Sequence, residues 1–281
     1  MHRSTSTAVR ADLGALLRQW RSLRRLSQLD LALEAGTSTR HLSCIETGKS
    51  QPSRAMVMRL ADTLQIPLRE RNTLLMTAGY APHYPETALA EPQLAKVRHA
   101  IDSILRQQEP YPAFVLNRRW DVLMANRAAL RINRYVLGGD GSTHDNMVRQ
   151  FFDPADLRQA VVNWEEVAGD LIHHLHNEVA AAPSDAAAHA LLREALAYPG
   201  VPERWHAREL GADAPPLLTV VFRRGDRELR FFSTISVFGT PRDVTLDELR
   251  MECVFPGDEA TAALCRKLAD EEANGGTAID E

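Results

Sequence analysis

The chain has 281 residues, of which 44% are hydrophobic and 25% are charged, with a formal net charge of −4 at pH 7. This composition is typical of a soluble globular protein that is long enough for two domains. The sequence has no run of eighteen apolar residues, no apolar signal segment in residues 1–10 and no CxxC pair among its three cysteines. We therefore expect a cytoplasmic protein without a membrane span, a disulfide framework or a thiolate zinc site.

The charge is unevenly distributed along the chain. Residues 1–80 contain 12 Lys and Arg against 6 Asp and Glu, whereas the remaining 201 residues contain 21 against 31. Because phosphate contacts depend on local charge, the acidic total does not exclude DNA as a partner of the basic N-terminal part. Basic charge alone would fit an ordinary solvated surface equally well. The choice between that surface and a DNA-binding surface therefore depends on the helix pattern.

Residues 26–53 have the pattern of two short helices joined by a tight turn. Ser27 is predicted to cap the first helix, whose buried face we assign to Leu29, Ala32 and Leu33. Gly36 then supplies a residue that can end a helix in a left-handed conformation. The chain is therefore expected to turn at this glycine.

The second helix of the pair separates a buried side from a free side. Ser38 is predicted to cap it, and Leu42 and Ile45 lie three residues apart on its buried side. The opposite side carries Thr39, Arg40, Ser43 and Cys44. This side is free to contact a partner.

Three further helices are predicted to complete an all-α bundle. The first carries Leu13, Leu16, Leu17, Trp20 and Leu23 at helical spacing. After Gly48, Pro52 and Ser53 begin another, with Met56, Val57, Leu60, Ala61 and Leu64 as its apolar stripe. The last carries Leu68, Leu74 and Leu75, which close the core.

These residues resemble the Xre/Cro-type helix-turn-helix family over about seventy residues. The resemblance is carried by the stretches LSQ, AGTS and IETGKSQPS. It implies that the third helix of the bundle enters the major groove of a double-stranded DNA operator. The expected fold is thus a five-helix Xre-type domain.

The resemblance also implies which residues contact DNA. Gln28 matches a position at the DNA backbone that helps to orient a recognition residue, and Thr39, Arg40 and Ser43 match positions that face base edges. Lys49 and Arg54 match positions that approach phosphates. The complete predicted set is Gln28, Ser38, Thr39, Arg40, Ser43, Lys49 and Arg54. Arg21 and Glu46 match a pair that bridges the first and third helices, so we interpret them as structural.

Residues 79–92 contain three prolines and are predicted to link two domains. The following helix, about residues 91–108, carries an apolar stripe of Leu94, Val97, Ile101, Ile104 and Leu105. This spacing suits either a dimer seam or docking on the next domain, and we favour docking. We therefore divide the chain into a DNA-binding domain at 1–80, a linker with a connecting helix at 81–108 and a second domain at 109–281.

The second domain begins and ends with β-prone segments. Residues 113–117 and 120–126 are predicted strands, and a helix follows from Asn126. A long helical segment is predicted from Asp153 and Pro154 through Leu175, and Ser184 is predicted to open another helix. Residues 217–224 and 229–239 flank a hairpin turn at Gly225 and Asp226, residues 244–256 are predicted as a third late strand, and a C-terminal helix is expected from about Asp258. The pattern predicts an α+β domain with an antiparallel sheet and helical insertions.

Two longer stretches resemble the MmyB-like transcriptional regulators. They are PAFVLNRRWDVLMANRAA at residues 112–129 and FGTPRDVTLDELR at residues 238–250. The resemblance implies that the second domain is a PAS-like ligand-binding module and that its ligand is a fatty acid or a similar acyl compound. Such a pocket is expected to be mostly apolar with a few polar groups that orient a head group.

The candidate pocket residues are mainly apolar. They are Trp120, Val122, Met124, Asn126, Leu130, Trp164, Phe222, Phe231, Ile235 and Phe238. Most of them are equally expected in an ordinary core, and Asn126 is more readily explained as a helix cap. Arg119 and Arg127 could pair with a carboxylate or simply be solvated, so the polar anchor stays open.

A histidine cluster raises an alternative in which the second domain is an enzyme. His173, His174 and His176 lie near Glu178, but the HExxH pattern of zinc proteases is missing and core leucines are interspersed among them. The glycines at residues 138–142 lack the GK[ST] sequence of a phosphate-binding loop. We therefore expect no enzymatic activity, no metal and no cofactor.

Taken together, the sequence predicts a DNA-binding transcriptional regulator in which a small apolar ligand modulates operator binding. The two-fold sites typical of the motif favour a homodimer, and no membrane partner is expected. In one alternative the second domain is a protein-interaction or dimerisation module without a ligand. A metal-dependent enzyme fused to a DNA-binding head is the weaker alternative.

Overall fold

The computed structural model describes residues 12–183, 185–206 and 217–275. The chain forms two compact units, Met1–Glu86 with Pro241–Asp247, and Thr87–Thr240 with Glu248–Glu281. The N-terminal residues that bear on a signal peptide and the predicted cap Ser184 lie outside the described residues. In the described parts of the chain, no helix is long and apolar enough to cross a membrane.

The first unit contains the five predicted helices. They are α1 (Leu13–Leu23), α2 (Gln28–Glu34), α3 (Thr39–Glu46), α4 (Arg54–Thr63) and α5 (Leu68–Thr77). Their core includes Leu17, Trp20, Leu31, Leu42, Ile45, Val57, Leu60, Leu64, Leu74 and Leu75. Apolar residues at helical spacing thus bury one face of each helix in a common core.

Local capping explains where these helices begin. The Ser27 hydroxyl accepts a hydrogen bond from the Asp30 N–H, and the Asp30 carboxylate accepts one from the Ser27 N–H, which forms a capping box. The hydroxyls of Ser38 and Ser53 cap α3 and α4 by accepting the His41 and Met56 N–H groups. Gly36 has φ +60° and makes the predicted turn between α2 and α3.

The predicted buried face of α2 is right for Ala32 and wrong for its two leucines. Leu29 and Leu33 are 65% and 78% exposed, whereas Leu31 is buried beside Ala32. In a helix with 3.6 residues per turn, Leu29 and Leu31 point in nearly opposite directions, so only one of these two stripes can face the core. Packing of α2 on α3 selects Leu31 and Ala32.

The second unit contains a five-stranded antiparallel sheet. Its strands are β1 (Ala113–Leu116), β2 (Val122–Ala125), β3 (Val220–Arg224), β4 (Arg227–Ser236) and β5 (Arg250–Pro256). Their order across the sheet is β2-β1-β5-β4-β3. The early hairpin therefore pairs with the last strand, and β5 occupies the centre of the sheet.

Helices connect and cover the strands. They are α6 (Ala95–Gln107), α7 (Arg127–Leu137), α8 (Met147–Phe152), α9 (Trp164–Ala181), α10 (Ala186–Ala197), α11 (Val244–Glu248) and α12 (Glu259–Gly275), with short 3₁₀ segments at Pro92–Leu94, Leu157–Ala160 and Glu203–His206. The Asn126 side chain caps α7 as expected, and Asp185 caps α10. Ile101 and Leu105 of α6 are buried within the second unit. This is the arrangement expected if the helix docks on the second domain.

The long helix predicted from residue 153 is interrupted. Val162 N–H donates to the Val221 carbonyl at 2.8 Å, and the Asn163 side chain bonds both Val221 N–H and the Thr219 carbonyl. Residues 161–163 therefore pair with the edge of β3, and α9 begins only at Trp164. A contact far along the chain overrides the local helical pattern.

The predicted strand at residues 244–256 is wrong in its first half. Residues Val244–Glu248 form α11, and the strand begins at Arg250. The Asp243 carboxylate accepts a hydrogen bond from the Thr245 N–H at 2.8 Å, which favours a helical turn at this point. The alternation in VTLDELR is thus compatible with a short helix as well as with a strand.

Candidate functional site

The free side of α3 presents polar side chains in the first unit. Arg40 and Ser38 are exposed, and Thr39 and Ser43 are half-buried. The Ser38 hydroxyl accepts the His41 N–H at 3.1 Å, so it already serves as the helix cap. The Arg40 guanidinium has no hydrogen bond or ion pair with any residue that the structure describes. It is available to an external acceptor.

A buried ion cluster ties α3 to α1 and α2. The Arg21 guanidinium donates to Glu46 at 2.7 and 3.0 Å, and Gln28 Nε2 donates to Glu46 Oε2 at 2.8 Å. Burial disfavours the charged form of Glu46, but the hydrogen bonds from Arg21 and Gln28 and the charge of Arg21 outweigh it and lower the pKa of Glu46. Gln28, a predicted DNA contact, is thus also part of the structural cluster.

A close approach of α1 to α3 accompanies this cluster. A Cβ atom added at Gly14 would lie far inside van der Waals contact with the Glu46 carbonyl oxygen. Only glycine fits at this position without moving the backbone. The orientation of α3 is therefore fixed both by the hydrogen bonds of Glu46 and by the close contact with α1 at Gly14.

The basic side chains after α3 are exposed. The N–H groups of Lys49 and Ser50 both donate to the Cys44 carbonyl, at 2.8 and 3.1 Å, and hold the loop against the end of α3. The Lys49 ammonium group has no partner within the described ranges. Arg54 is exposed at the start of α4, with Nη2 3.2 Å from His83 Nδ1. Both cations can reach an anion outside the protein.

An apolar cavity of about 410 Å³ lies within the second unit. Four of the predicted pocket residues line it, namely Trp120, Phe222, Phe231 and Ile235. The remaining apolar wall comes mainly from Phe114, Phe151, Phe232, Val254, Ile132, Val136, Val167 and Leu171. A volume of this size and an apolar wall fit a small ligand with a hydrocarbon part.

Six predicted pocket residues lie away from the cavity lining. They are Val122, Met124, Asn126, Leu130, Trp164 and Phe238. Asn126 Nδ2 donates to the Leu105 and Tyr111 carbonyls, and Trp164 Nε1 donates to the Phe151 carbonyl, so both side chains already have structural partners. Leu130 is half exposed on α7.

The sequence argument missed the polar part of the cavity. Its lining includes Asp170 and His174 of α9 and Glu252 of β5. Glu252 and Val254 both face the cavity because alternate residues of a strand share a face. Opposite Glu252 stand Phe114 on β1 and Ile235 on β4, which also line the cavity. The alternation of β5 was available in the sequence, but a glutamate on such a strand is normally assigned to solvent.

His174 and Glu252 of the cavity have shifted pKa values. The hydrogen bond with Asp170, whose Oδ2 is 3.4 Å from His174 Nε2, raises the pKa of His174 against the effect of burial. Burial raises the pKa of Glu252, and neither the Ser233 hydrogen bond nor the charge of His174 cancels this effect. Burial therefore favours the neutral form of Glu252.

Trp120 is held in the cavity wall by an unusual hairpin. Its φ is +64°, in the left-handed region that bulky residues rarely adopt. The Asn117 Oδ1 atom accepts the N–H groups of Arg119 and Asp121, at 2.8 and 3.0 Å, and stabilises the turn. The Arg250 guanidinium lies 5.9 Å from the Trp120 ring centroid. Strain of this kind is typical of functional positions.

Family comparisons cover both units of the chain. A model described as a helix-turn-helix domain matches residues 12–74. A second, described as the ligand-binding domain of MmyB-like transcription regulators, matches residues 97–268. The chain belongs to the MmyB-like transcription regulators. A search of curated proteins finds no match.

The match confirms both resemblances of the sequence. This MmyB-like regulator combines a helix-turn-helix DNA-binding domain with a ligand-binding domain, and every residue that lines the cavity falls within the matched range 97–268. The cavity is therefore the candidate ligand site of a transcription regulator.

In this MmyB-like regulator, two residues of the histidine cluster have partners within the protein. His174 pairs with Asp170, and His176 Nε2 lies 2.9 Å from the Trp205 carbonyl oxygen. Across the described residues, no group of three or more His, Cys, Asp or Glu side chains is arranged to hold a metal ion.

Proposed function

We propose that this regulator binds a specific operator through α3 and that a fatty acid or a similar acyl compound in the cavity modulates this binding. In this proposal the second unit is a PAS-like sensor that binds its ligand without catalysis, and the protein acts on DNA in the cytoplasm. The observation that carries the proposal is the apolar cavity of about 410 Å³ within the matched ligand-binding domain. Its wall suits a hydrocarbon chain.

The DNA-binding part of the proposal rests on the free side of α3. Arg40 is exposed, and a guanidinium can bind the O6 and N7 atoms of guanine together. Lys49 and Arg54 are exposed near the two ends of the loop that follows α3, where they can neutralise phosphates. The buried Arg21, Gln28 and Glu46 cluster fixes the helix that carries the base contacts.

We further propose that the protein binds its operator as a homodimer. One helix-turn-helix head presents a small surface, and two-fold operators are typical of this motif. Light scattering of the free protein and of its complex with the operator measures the stoichiometry. A monomer in both samples contradicts the dimer.

The segment Pro241–Asp247 offers a route from the cavity to the DNA-binding helices. In sequence it connects β4 to β5, but it belongs to the same compact unit as α1–α5. Within that unit the Asp247 carboxylate accepts the Leu68 N–H at 3.1 Å, and the Val244 N–H donates to the Pro85 carbonyl at 2.8 Å. Asp247 therefore caps the start of α5.

The strands on either side of this segment line the cavity. Ser233 and Ile235 lie on β4 before the segment, and Glu252 and Val254 lie on β5 after it. A ligand that shifts these strands would therefore move the segment that caps α5. A ligand can change operator affinity only if it binds two such arrangements with different affinities.

The direct test compares operator binding with and without ligand. An operator is selected from random duplexes, and its affinity for delipidated full-length protein is measured by fluorescence anisotropy with and without saturating decanoic acid or decanamide. We expect the ligand to change the dissociation constant for the operator by about 5-fold or more. Equal affinities, with the ligand shown to be bound, would refute modulation by the ligand.

Native mass spectrometry separates this proposal from a protein-interaction module. Protein that has never been denatured is expected to carry a small molecule with the mass of an acyl compound. If only the mass of the bare chain is found and no acyl compound binds when added, the second unit is better explained as an interaction module.

A further inference from the structure

The charged side chains that line the cavity do not suit a carboxylate ligand. Among the described lining residues, Asp170, His174 and Glu252 are the only charged or titratable ones, and none is Lys or Arg. Carboxylates in proteins are normally bound by Arg or Lys. Among these described residues His174 is the one potential cation, and its Nε2 atom already faces Asp170 at 3.4 Å. A second carboxylate would thus enter a site that is already acidic.

Two polar atoms of this lining are buried and unpartnered. Trp120 Nε1 and Glu252 Oε2 have no hydrogen-bond partner among the residues that the structure describes. The Trp120 and His174 rings are 5.9 Å apart, and Glu252 lines the same cavity as both of them. Buried polar groups in native proteins are nearly always satisfied, so a ligand in this cavity is expected to supply the missing partners.

The chemistry of the two atoms defines what the ligand must offer. The indole N–H of Trp120 is only a donor, so the ligand needs an acceptor there. A neutral carboxyl group both donates and accepts, so Glu252 can pair with a group that does the same. An ammonium head could pair with Glu252 but has no acceptor for Trp120. A carboxylate could accept hydrogen bonds from Trp120 and from neutral Glu252, but it would lie in the same cavity as Asp170, with no Lys or Arg among the described lining residues.

We propose that Trp120 and Glu252 recognise the ligand head group and that this head group is uncharged and both donates and accepts hydrogen bonds. A primary amide or a hydroxyl group at the end of a hydrocarbon chain has these properties, and a fatty acid would bind in its protonated form. The inference rests on the proposed function, since it takes the cavity to be the site of an apolar-chain ligand. It adds the two residues that select the head group.

The test compares four ligands that share a ten-carbon chain. Decanamide, decan-1-ol, decanoate and decylamine are titrated into delipidated full-length protein at pH 8 by isothermal calorimetry. We expect the amide and the alcohol to bind about 10-fold more tightly than the two charged ligands. Equal or tighter binding of decanoate or decylamine overturns the inference.

Variants of the two residues locate the effect. Glu252→Gln keeps a donor and an acceptor, so its affinity for decanamide should stay within about 3-fold of the wild-type value. Glu252→Leu and Trp120→Phe should each bind decanamide about 10-fold more weakly than wild type. Glu252→Leu replaces a buried carboxyl by an apolar side chain and is expected to fold, which thermal unfolding verifies. Unchanged affinity in folded Glu252→Leu contradicts the proposed role.

The outcomes separate this inference from the proposed function. If all four ligands bind alike and alter operator affinity, only the head-group inference fails. If none of them binds, the proposed acyl-ligand function fails with it.

Discussion

At the scale of single residues, exposed cations around α3 can have two different roles. Arg40 lies on α3 itself, while Lys49 lies in the loop that follows it. A side chain on the recognition helix can reach base edges, whereas one in a flanking loop reaches the phosphate backbone. Mutations should therefore distinguish sequence preference from general affinity.

Arg40→Ala is expected to weaken operator binding by about 1–3 kcal/mol and to relax preference at one base pair. Lys49→Ala should weaken binding to all duplexes alike and reduce its salt dependence. The measurement is anisotropy with the operator and with single-base variants, at two salt concentrations. If Arg40→Ala weakened binding to all duplexes equally, Arg40 would be a phosphate contact instead.

Glu46 is the residue on which the orientation of α3 depends. Glu46→Ala leaves Arg21 and Gln28 without their shared acceptor, so we expect a loss of about 3 kcal/mol in the free energy of unfolding. Glu34→Ala removes an exposed glutamate on α2 and serves as the control, with an expected effect within about 0.5 kcal/mol. Urea unfolding measures both variants, and similar values for the two would contradict the role of the cluster.

The lowered pKa of Glu46 predicts a pH dependence of stability. A carboxyl group whose pKa is lower in the folded state stabilises the protein above its unfolded pKa of about 4.3, and this stabilisation is lost as pH falls through the folded value. The difference in melting temperature between wild type and Glu46→Gln should therefore shrink as pH falls from 7 to 3. A constant difference over this range would contradict the prediction.

At the scale of elements, local signals predicted the helices that have their own caps. Ser27, Ser38 and Asn126 stand at the starts of α2, α3 and α7, and their side chains cap these helices. Two of the failures occur where another element of the fold decides. Asn163 bonds β3 and ends the predicted long helix, and α3 selects the buried face of α2. No local pattern contains this information.

Helix α5 has its cap supplied from far along the chain. Its own N-cap residue, Pro67, makes no side-chain hydrogen bond, and the Asp247 carboxylate accepts the Leu68 N–H instead. Asp247→Ala should cost about 0.5–2 kcal/mol in the unfolding of the first unit and weaken the effect of ligand on operator affinity. Asp247→Asn can still cap and is the matched control. If the Ala variant keeps both stability and ligand response, the segment carries no coupling.

At the scale of the whole molecule, the cavity was the hardest feature to predict. Trp120, Asp170 and Glu252 lie about 50 and 80 residues apart in sequence, and only the folded sheet and α9 bring them to one cavity. Hydrophobic patterning identified four lining residues because aromatic strands face a core or a pocket alike. Glu252 follows the alternation of β5, but it was missed because a glutamate on such a strand is normally assigned to solvent.

The proposed coupling between the cavity and the operator must act in both directions. A ligand that changes operator affinity by a given factor has its own affinity changed by the operator by the same factor, because the two sites belong to one thermodynamic cycle. We therefore expect calorimetric titrations of decanamide into the free protein and into the protein–operator complex to differ by the factor that anisotropy gives for operator binding. A scrambled duplex of equal length is the control. Unequal factors would mean that the decanamide binding measured by calorimetry is not the binding that changes operator affinity.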